Sequence, residues 1–235
     1  KAGIIKPGVP VVCGVNQSHA LTAIEDVAAD CQSPVWRLGR EISLDYDPER
    51  HVARISTPAR SWPEISVPLP GRHQAANTAL AAAAIDVIDD GGASVPQESA
   101  CAAIAGLAWP IRIETIGHHP TVIVDAAHNW ASIQALLETL DSRPPTSGWR
   151  QRILIFATSR DKDVDGLLRQ LLPRFDTVIL TQFQDNPRAV GVETLHRRVR
   201  ELFDIPVHAT GDPASAWHLA RRLARREDLV CVTGS

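Results

Sequence analysis

The sequence is poor in several features that mark broad classes of protein. It has no methionine, only one tyrosine and a net charge of −3, without a long basic run. The negative net charge and the lack of a basic run argue against binding to a nucleic-acid backbone. No apolar run approaches the roughly 18 residues of a membrane-spanning helix, and no signal peptide opens the chain. We therefore expect a cytoplasmic protein without a membrane anchor.

Familiar catalytic and metal-binding signatures are also missing. The four cysteines lie far apart, without a Cys-x-x-Cys pair or a Cys/His metal spacing, as expected for reduced thiols in a cytosolic protein. There is no Gly-x-x-x-x-Gly-Lys-Ser/Thr phosphate loop, no Gly-x-Gly-x-x-Gly and no Gly-x-Ser-x-Gly. The sequence thus contains polar segments without a complete catalytic apparatus. Because methionine is absent even at residue 1, and the chain ends directly after a predicted strand, we expect a piece of a longer protein.

The hydrophobic pattern predicts two α/β domains that meet near residue 108, just before Trp109-Pro110. In residues 109–235, predicted strands and helices alternate, which indicates a mainly parallel sheet covered on both faces. The predicted strands are 112–116, 121–124, 153–157, 177–181, 205–208 and 229–233, and the helices are 131–140, 164–172, 192–203 and 213–226. Residues 1–108 contain an alanine-rich helix, 73–88, that is apolar nearly all round but has few strands to cover it. We expect this part to belong to a larger sheet domain.

The clearest candidate site follows the β-branched strand 121–124. Asp125, His128 and Asn129 come at its end, and a helical pattern begins at once. Ligands of open α/β sheets bind beyond the carboxyl ends of strands, where a helix N-terminus offers N–H groups to anions. Asn129 is suited to cap the helix. The alternative is an ordinary capped turn with a chance histidine.

Arg112 lies one strand and a turn before this segment. A guanidinium group can hold phosphate or carboxylate through two hydrogen bonds. If Arg112 and His128 converge, they form a cationic pocket suited to phosphate. The alternative is that Arg112 is a surface residue of a strand.

Asn77 is a polar residue on the otherwise apolar helix 73–88, one turn from His73. Its amide suggests a specific hydrogen bond, for example to a purine edge or a ribose. The alternative is that His73 and Gln74 simply cap the helix.

Two further polar segments follow later strands of the predicted sheet. They are Ser159 to Asp163, and Asp185-Asn186-Pro187-Arg188. Because parallel strands end at one edge, these turns and the turn at 125–129 are predicted to share one rim. Asn-Pro starts turns, which leaves Arg188 without a structural explanation.

Seven short motifs occur in an order and spacing that resemble the folylpolyglutamate synthase/dihydrofolate synthase family of the Mur ligase superfamily. They are Lys1-Ala2-Gly3-Ile4, Gly71-x-His73-Gln74-x-x-Asn77, Trp109-Pro110-x-Arg112-x-Glu114, Asp125-x-Ala127-His128-Asn129, Lys162-Asp163, Asn186-Pro187-Arg188-Ala189 and Thr233-Gly234-Ser235. The resemblance implies an ATP-dependent amide ligase. In such enzymes ATP phosphorylates a folate or dihydropteroate carboxylate, and the amine of L-glutamate attacks the acyl phosphate. It also implies a C-terminal Rossmann-like domain in 109–235, preceded in 1–108 by the C-terminal portion of the central ATP-binding domain.

The resemblance assigns roles to individual residues. Lys1 is expected to be carbamoylated and to help organise a Mg²⁺ site. Asn77 is expected to contact the nucleotide, and Arg112, Asp125 and His128 to close onto ATP. Physically, Arg112 and His128 would offset charge on the transferred phosphoryl group. Lys1, Arg112 and His128 are thus the expected catalytic residues.

Asn186 and Arg188 are the expected substrate-binding residues, and the protein is expected to be a monomer.

The chain departs from the family pattern in three respects. Ile111 replaces a usual glycine, Trp130 replaces a usual proline, and the family's phosphate loop would lie upstream of Lys1. Because the phosphate loop is missing from it, this chain alone is expected to have no catalytic turnover. Two alternatives stay open: another Mur-type ligase, such as a peptidoglycan amino-acid-adding enzyme, or a binding module that has lost its phosphate loop.

Overall fold

The computed structural model describes residues 2–92, 94–142 and 148–234. The chain divides into two compact units, Lys1–Ala108 and Trp109–Ser235. The predicted α/β class is confirmed, since the second unit is built on a mostly parallel six-stranded sheet flanked by helices. Within the described ranges, no helix is long and apolar enough to cross a membrane.

The first unit combines two small sheets with three helices in its described part. After a short 3₁₀ turn at Ala2–Ile4, its elements are β1 Val11–Cys13, α1 Ser18–Asp30, β2 Val35–Arg37, β3 Ser43–Asp47, β4 Val52–Ser56, β5 Ile65–Ser66, α2 Arg72–Asp90 and α3 Gln97–Ala105. β1 and β2 pair in parallel, whereas β3, β4 and β5 form an antiparallel sheet. The core lies between these strands and α2, where Ala75, Ala79, Ala82 and Ala83 are fully buried.

A buried carboxylate ties the loop after β4 to helix α2. The side chain of Asp86 accepts hydrogen bonds from Thr57 Oγ1 at 2.6 Å, Arg60 Nε at 2.5 Å and Trp62 Nε1 at 3.0 Å. The Arg60 guanidinium also lies over the Trp62 ring, 4.8 Å from its centroid. Because a buried charge is tolerated only when it is paired, these partners depend on one another.

We predict that Asp86→Ala lowers the free energy of unfolding of the first unit by about 3–5 kcal/mol, since it removes the buried carboxylate that accepts from Arg60 Nε and Trp62 Nε1. Asp90→Ala, at the exposed end of the same helix, should change it by less than about 0.5 kcal/mol. Urea unfolding followed by tryptophan fluorescence measures both. Equal effects of the two substitutions would contradict the role given to Asp86.

The second unit contains the large sheet. Its elements are β6 Glu114–His118, β7 Thr121–Val124, α4 Trp130–Asp141, β8 Arg152–Ala157, α5 Val164–Leu171, a 3₁₀ turn Leu172–Arg174, β9 Thr177–Leu180, α6 Val192–Leu202, β10 Val207–Ala209, α7 Pro213–Leu223 and β11 Leu229–Gly234. The strand order is β10-β9-β8-β11-β7-β6. The pairs from β10 through β7 are parallel, and β6 runs antiparallel to β7 with an irregularity between Thr115 and Gly117.

Both faces of this sheet are covered by helices. Leu154 and Phe156 of β8 pack in the same core as α4, α5 and α6. Ile153 and Ile155 point to the opposite face and pack in the same core as α7. The inner strands are therefore nearly continuous apolar runs, as expected for parallel strands buried on both sides. Burial raises the pKa of the Cys231 thiol. All four cysteines are free of disulfide bonds.

Candidate functional site

Arg112 and Asp125 lie at the same rim of the sheet. β7 ends at Val124, and because β6 is antiparallel to it, Glu114 at the start of β6 pairs with Val124. The predicted strand at 112–116 is therefore wrong at its start. Arg112 lies in the turn before β6 and is exposed. The structure thus places Arg112 at the surface, two residues before the strand begins.

The carboxylate of Asp125 connects the turn before β6 with the turn after β7. It is 8% exposed, its Oδ2 accepts the N–H of Ile113 at 2.9 Å, and its Oδ1 accepts the N–H of Ala127 at 2.8 Å. Burial raises the pKa of the Asp125 carboxyl, whereas these two N–H donors and the charges of Arg112 and His128 act in the opposite direction. Asp125 thus connects the turn that carries Arg112 with the turn that carries His128.

Arg112 stands between two residues with unusual backbone conformations. Ile111 has φ 60° and Ile113 has φ 51°, a left-handed region that is unfavourable for β-branched side chains. The N–H of Ile111 donates to Glu114 Oε2 at 2.9 Å, and its carbonyl accepts from Ala126 N at 3.2 Å. With the bond from Ile113 to Asp125, these contacts hold the turn. Glycine at position 111 would adopt this conformation without strain.

The turn after β7 fixes the orientation of His128. Its Nδ1 is 2.9 Å from the carbonyl of Ala126, which can only accept, so Nδ1 carries the proton and Nε2 is left for a ligand. The predicted cap is confirmed: Asn129 accepts from Ser132 N at 3.0 Å, and Ser132 Oγ accepts from Asn129 N at 3.1 Å. Trp130, the first residue of α4, is 58% exposed.

The turns after β8 and β9 form a second cluster on the same rim. Arg160 donates from its backbone N to the carbonyl of Arg188 at 2.8 Å and from Nε to the carbonyl of Ala189 at 3.0 Å. Asn186 Oδ1 accepts the N–H of Arg188 at 3.0 Å, so it shapes the loop that presents this exposed arginine. The hydrogen bond from Lys162 and the charge of Arg188 lower the pKa of Asp161.

The two clusters share a rim, but they are not on neighbouring strands. β11 lies between β7 and β8. Its last two residues are Thr233 and Gly234. Thr233 Oγ1 is 3.4 Å from the carbonyl of Ala127. At Gly234 φ is 109°, and a Cβ there would collide with the carbonyl of Ala157. Only glycine fits this close approach between β11 and β8.

Buried hydroxyls at this rim are a feature that the sequence reasoning missed. Thr158 follows β8 and Thr181 follows β9, and they are 1% and 3% exposed. Neither Oγ1 has a hydrogen-bond partner among the described residues. The sequence does mark these two positions, because a threonine directly follows each of the two apolar runs.

Lys1 and Asn77, the other expected site residues, belong to residues 1–108. Asn77 is an exposed residue of α2, in the first unit. Lys1 and Ser235 lie outside the described residues. Within the described ranges, no group of three or more His, Cys, Asp and Glu side chains is placed to hold a metal ion.

The comparisons with known proteins agree on one family. The family model described as Mur ligase, glutamate ligase domain matches residues 111–235. The chain belongs to the Mur ligase family. A dihydrofolate synthase/folylpolyglutamate synthase from Mycobacterium tuberculosis is 37% identical over 202 residues, covering 85% of the chain and 40% of that protein. An enzyme of the same name from Bacillus subtilis is 30% identical over 242 residues, covering 100% of the chain and 54% of that protein.

A solved structure extends this likeness to the fold of this Mur ligase chain. Mycobacterium tuberculosis folylpolyglutamate synthase complexed with ADP matches with a TM-score of 0.87 and 29% identity, covering 100% of the chain and 55% of that protein. The resemblance to the folylpolyglutamate/dihydrofolate synthases is thereby confirmed. The chain spans about half the length of the Bacillus subtilis relative and of this solved structure.

The left-handed backbone at Ile111 gives a prediction with a matched control. Ile111→Gly should raise the free energy of unfolding of the second unit, by up to about 1 kcal/mol, because relief of the left-handed conformation exceeds the entropy cost of glycine. Ile116→Gly, at a similarly exposed position inside β6, should lower it by about 1 kcal/mol. Chemical denaturation measures both changes. Destabilisation of equal size in both variants would contradict the strain at Ile111.

Proposed function

We propose that the protein carrying this chain is an ATP-dependent ligase that joins L-glutamate to a folate or dihydropteroate carboxylate through an acyl phosphate. The observation that carries the proposal is the rim on which Asp125 bonds both the turn that carries Arg112 and the turn that carries His128. The family, and the names of the relatives that match the chain, support the same reaction class.

The rim offers a set of groups that suits phosphoryl transfer. Arg112 is an exposed cation that can hold phosphate oxygens through two donors. His128 presents Nε2, and the N-terminus of α4 adds a partial positive charge beside it. Groups fixed before the reaction stabilise developing charge without reorganising, which is the main contribution that a protein makes to phosphoryl transfer.

The proposed reaction has two steps. A carboxylate oxygen of the folate or dihydropteroate attacks the γ-phosphorus of ATP, and ADP leaves. The amine of glutamate then attacks the acyl carbon, loses a proton, and phosphate leaves as the amide bond forms. Mg²⁺ would neutralise phosphate charge, with the carbamate of Lys1 helping to organise it.

Three further residues take part in this proposal. Asn77, exposed on α2, contacts the nucleotide. Arg188 binds a carboxylate of the incoming glutamate, and Asn186 supports it by accepting the Arg188 N–H. The exposure of Arg188 and the hydrogen bonds from the backbone and side chain of Arg160 to its loop support this role.

The test is His128→Ala in the complete protein that carries this chain. It should lower kcat for ATP-dependent glutamate addition by about 100-fold or more, because a group poised over the transferred phosphoryl is lost. The thermal midpoint should change little, since the His128 side chain is only partly buried. His118→Ala, exposed on β6 away from this rim, is the matched control. Turnover that is equal in the two variants would refute the site.

The assay measures ADP formation with dihydropteroate or tetrahydrofolate as acceptor and L-glutamate as donor. Activity with either acceptor supports the folate assignment. ADP formation that requires a different carboxylate and amino acid would instead indicate another Mur-type ligase. No ADP formation with any pair would indicate a binding module.

A further inference from the structure

A buried amide lies next to Asn77 at the start of α2. Gln74 is 7% exposed. The residue before the helix is Gly71, and it makes no side-chain capping bond. Gln74 uses its backbone N–H to bond the Gly71 carbonyl at 2.9 Å, and both ends of its side-chain amide bond to other side chains. Helix capping by the Gln74 side chain is therefore not its role.

The Gln74 amide connects two residues of the motif. Asn77 Nδ2 donates to Gln74 Oε1 at 3.1 Å. Gln74 Nε2 lies 3.0 Å from Nε2 of His73. An amide nitrogen only donates, so the His73 ring nitrogen accepts in this arrangement. The direction of hydrogen bonding thus runs from Asn77 through Gln74 to His73.

This direction determines which atoms Asn77 can offer to a ligand. One hydrogen of Nδ2 is held by Gln74, so Oδ1 and the second Nδ2 hydrogen remain available at an exposed position. An acceptor beside a donor matches adenine, which presents its N6 amino group beside the acceptor N7. Guanine presents two acceptors, O6 and N7, along the same edge.

We propose that Gln74 is a positioning residue for the nucleotide. It holds the Asn77 amide in the orientation that accepts from the adenine amino group, and so favours ATP over GTP. The inference rests on the proposed function, because it takes Asn77 to contact the nucleotide.

The experiment compares KM values for ATP and GTP in the complete protein that carries this chain. Gln74→Met removes both hydrogen bonds at similar volume. It should raise KM for ATP about tenfold, keep kcat near the wild-type value, and reduce the preference for ATP over GTP by about 5-fold to 100-fold. Gln74→Glu keeps an acceptor for Asn77 Nδ2 and should retain the preference. If Gln74→Met does not fold, loss of the preference in Gln74→Glu contradicts the proposal.

Two further variants separate positioning from general stability. Thr78→Val changes another buried polar residue of the same helix, and it should lower stability without changing the preference for ATP. Asn77→Ala should lose the preference, and adding Gln74→Met to it should cause no further loss, because Gln74 acts through Asn77.

The possible failures can be told apart. If Asn77→Ala loses the preference and Gln74→Met retains it, the role of Gln74 is overturned and the proposed function stands. If Asn77→Ala leaves KM for ATP unchanged, the nucleotide contact of Asn77 fails, and the role of Gln74 fails with it. The His128→Ala assay tests the ligase assignment independently of both outcomes.

Discussion

Two backbone N–H groups converge on the carboxylate of Asp125, and the rim of the large sheet depends on that convergence. One belongs to Ile113 in the turn before β6, and the other belongs to Ala127 in the turn after β7. The first turn is held in a left-handed conformation that β-branched residues avoid. The carboxylate therefore stabilises a local geometry that the chain would otherwise leave, and this geometry keeps the turns that carry Arg112 and His128 together at one edge of the sheet.

The two units use the same physical device. In each, a buried polar side chain forms hydrogen bonds that orient a more exposed group. Asp125 orients the backbone next to Arg112 and the backbone next to His128, and Gln74 orients the amide of Asn77. Buried polar groups must be paired, so a fully bonded carboxylate or amide has few alternative arrangements. A site assembled in this way is largely organised before its ligand arrives, which is the condition for electrostatic catalysis.

Local features of the site could be predicted from the sequence. The strand at Thr121–Val124 and the cap at Asn129 depend on neighbouring residues, and the structure confirms both. The antiparallel direction of β6 and the position of β11 between β7 and β8 depend on contacts between distant segments, and no local pattern reports them. Arg112 was predicted in a strand but lies in a turn, because Ile111 and Ile113 adopt left-handed backbone conformations that β-branched residues do not indicate. The bonds of Gln74 also escaped prediction, because helical spacing does not tell which way an amide points.

Amide hydrogen exchange at Ile113 and Ala127 tests the central claim most directly. In Asp125→Ala, exchange at these two amides should accelerate about tenfold to a hundredfold, as expected for loss of a hydrogen bond of about 1–3 kcal/mol. Exchange at Ile123 and Leu154, within the sheet, should stay unchanged. Unaltered protection of Ile113 and Ala127 would show that the rim holds its shape without Asp125, and would contradict the account.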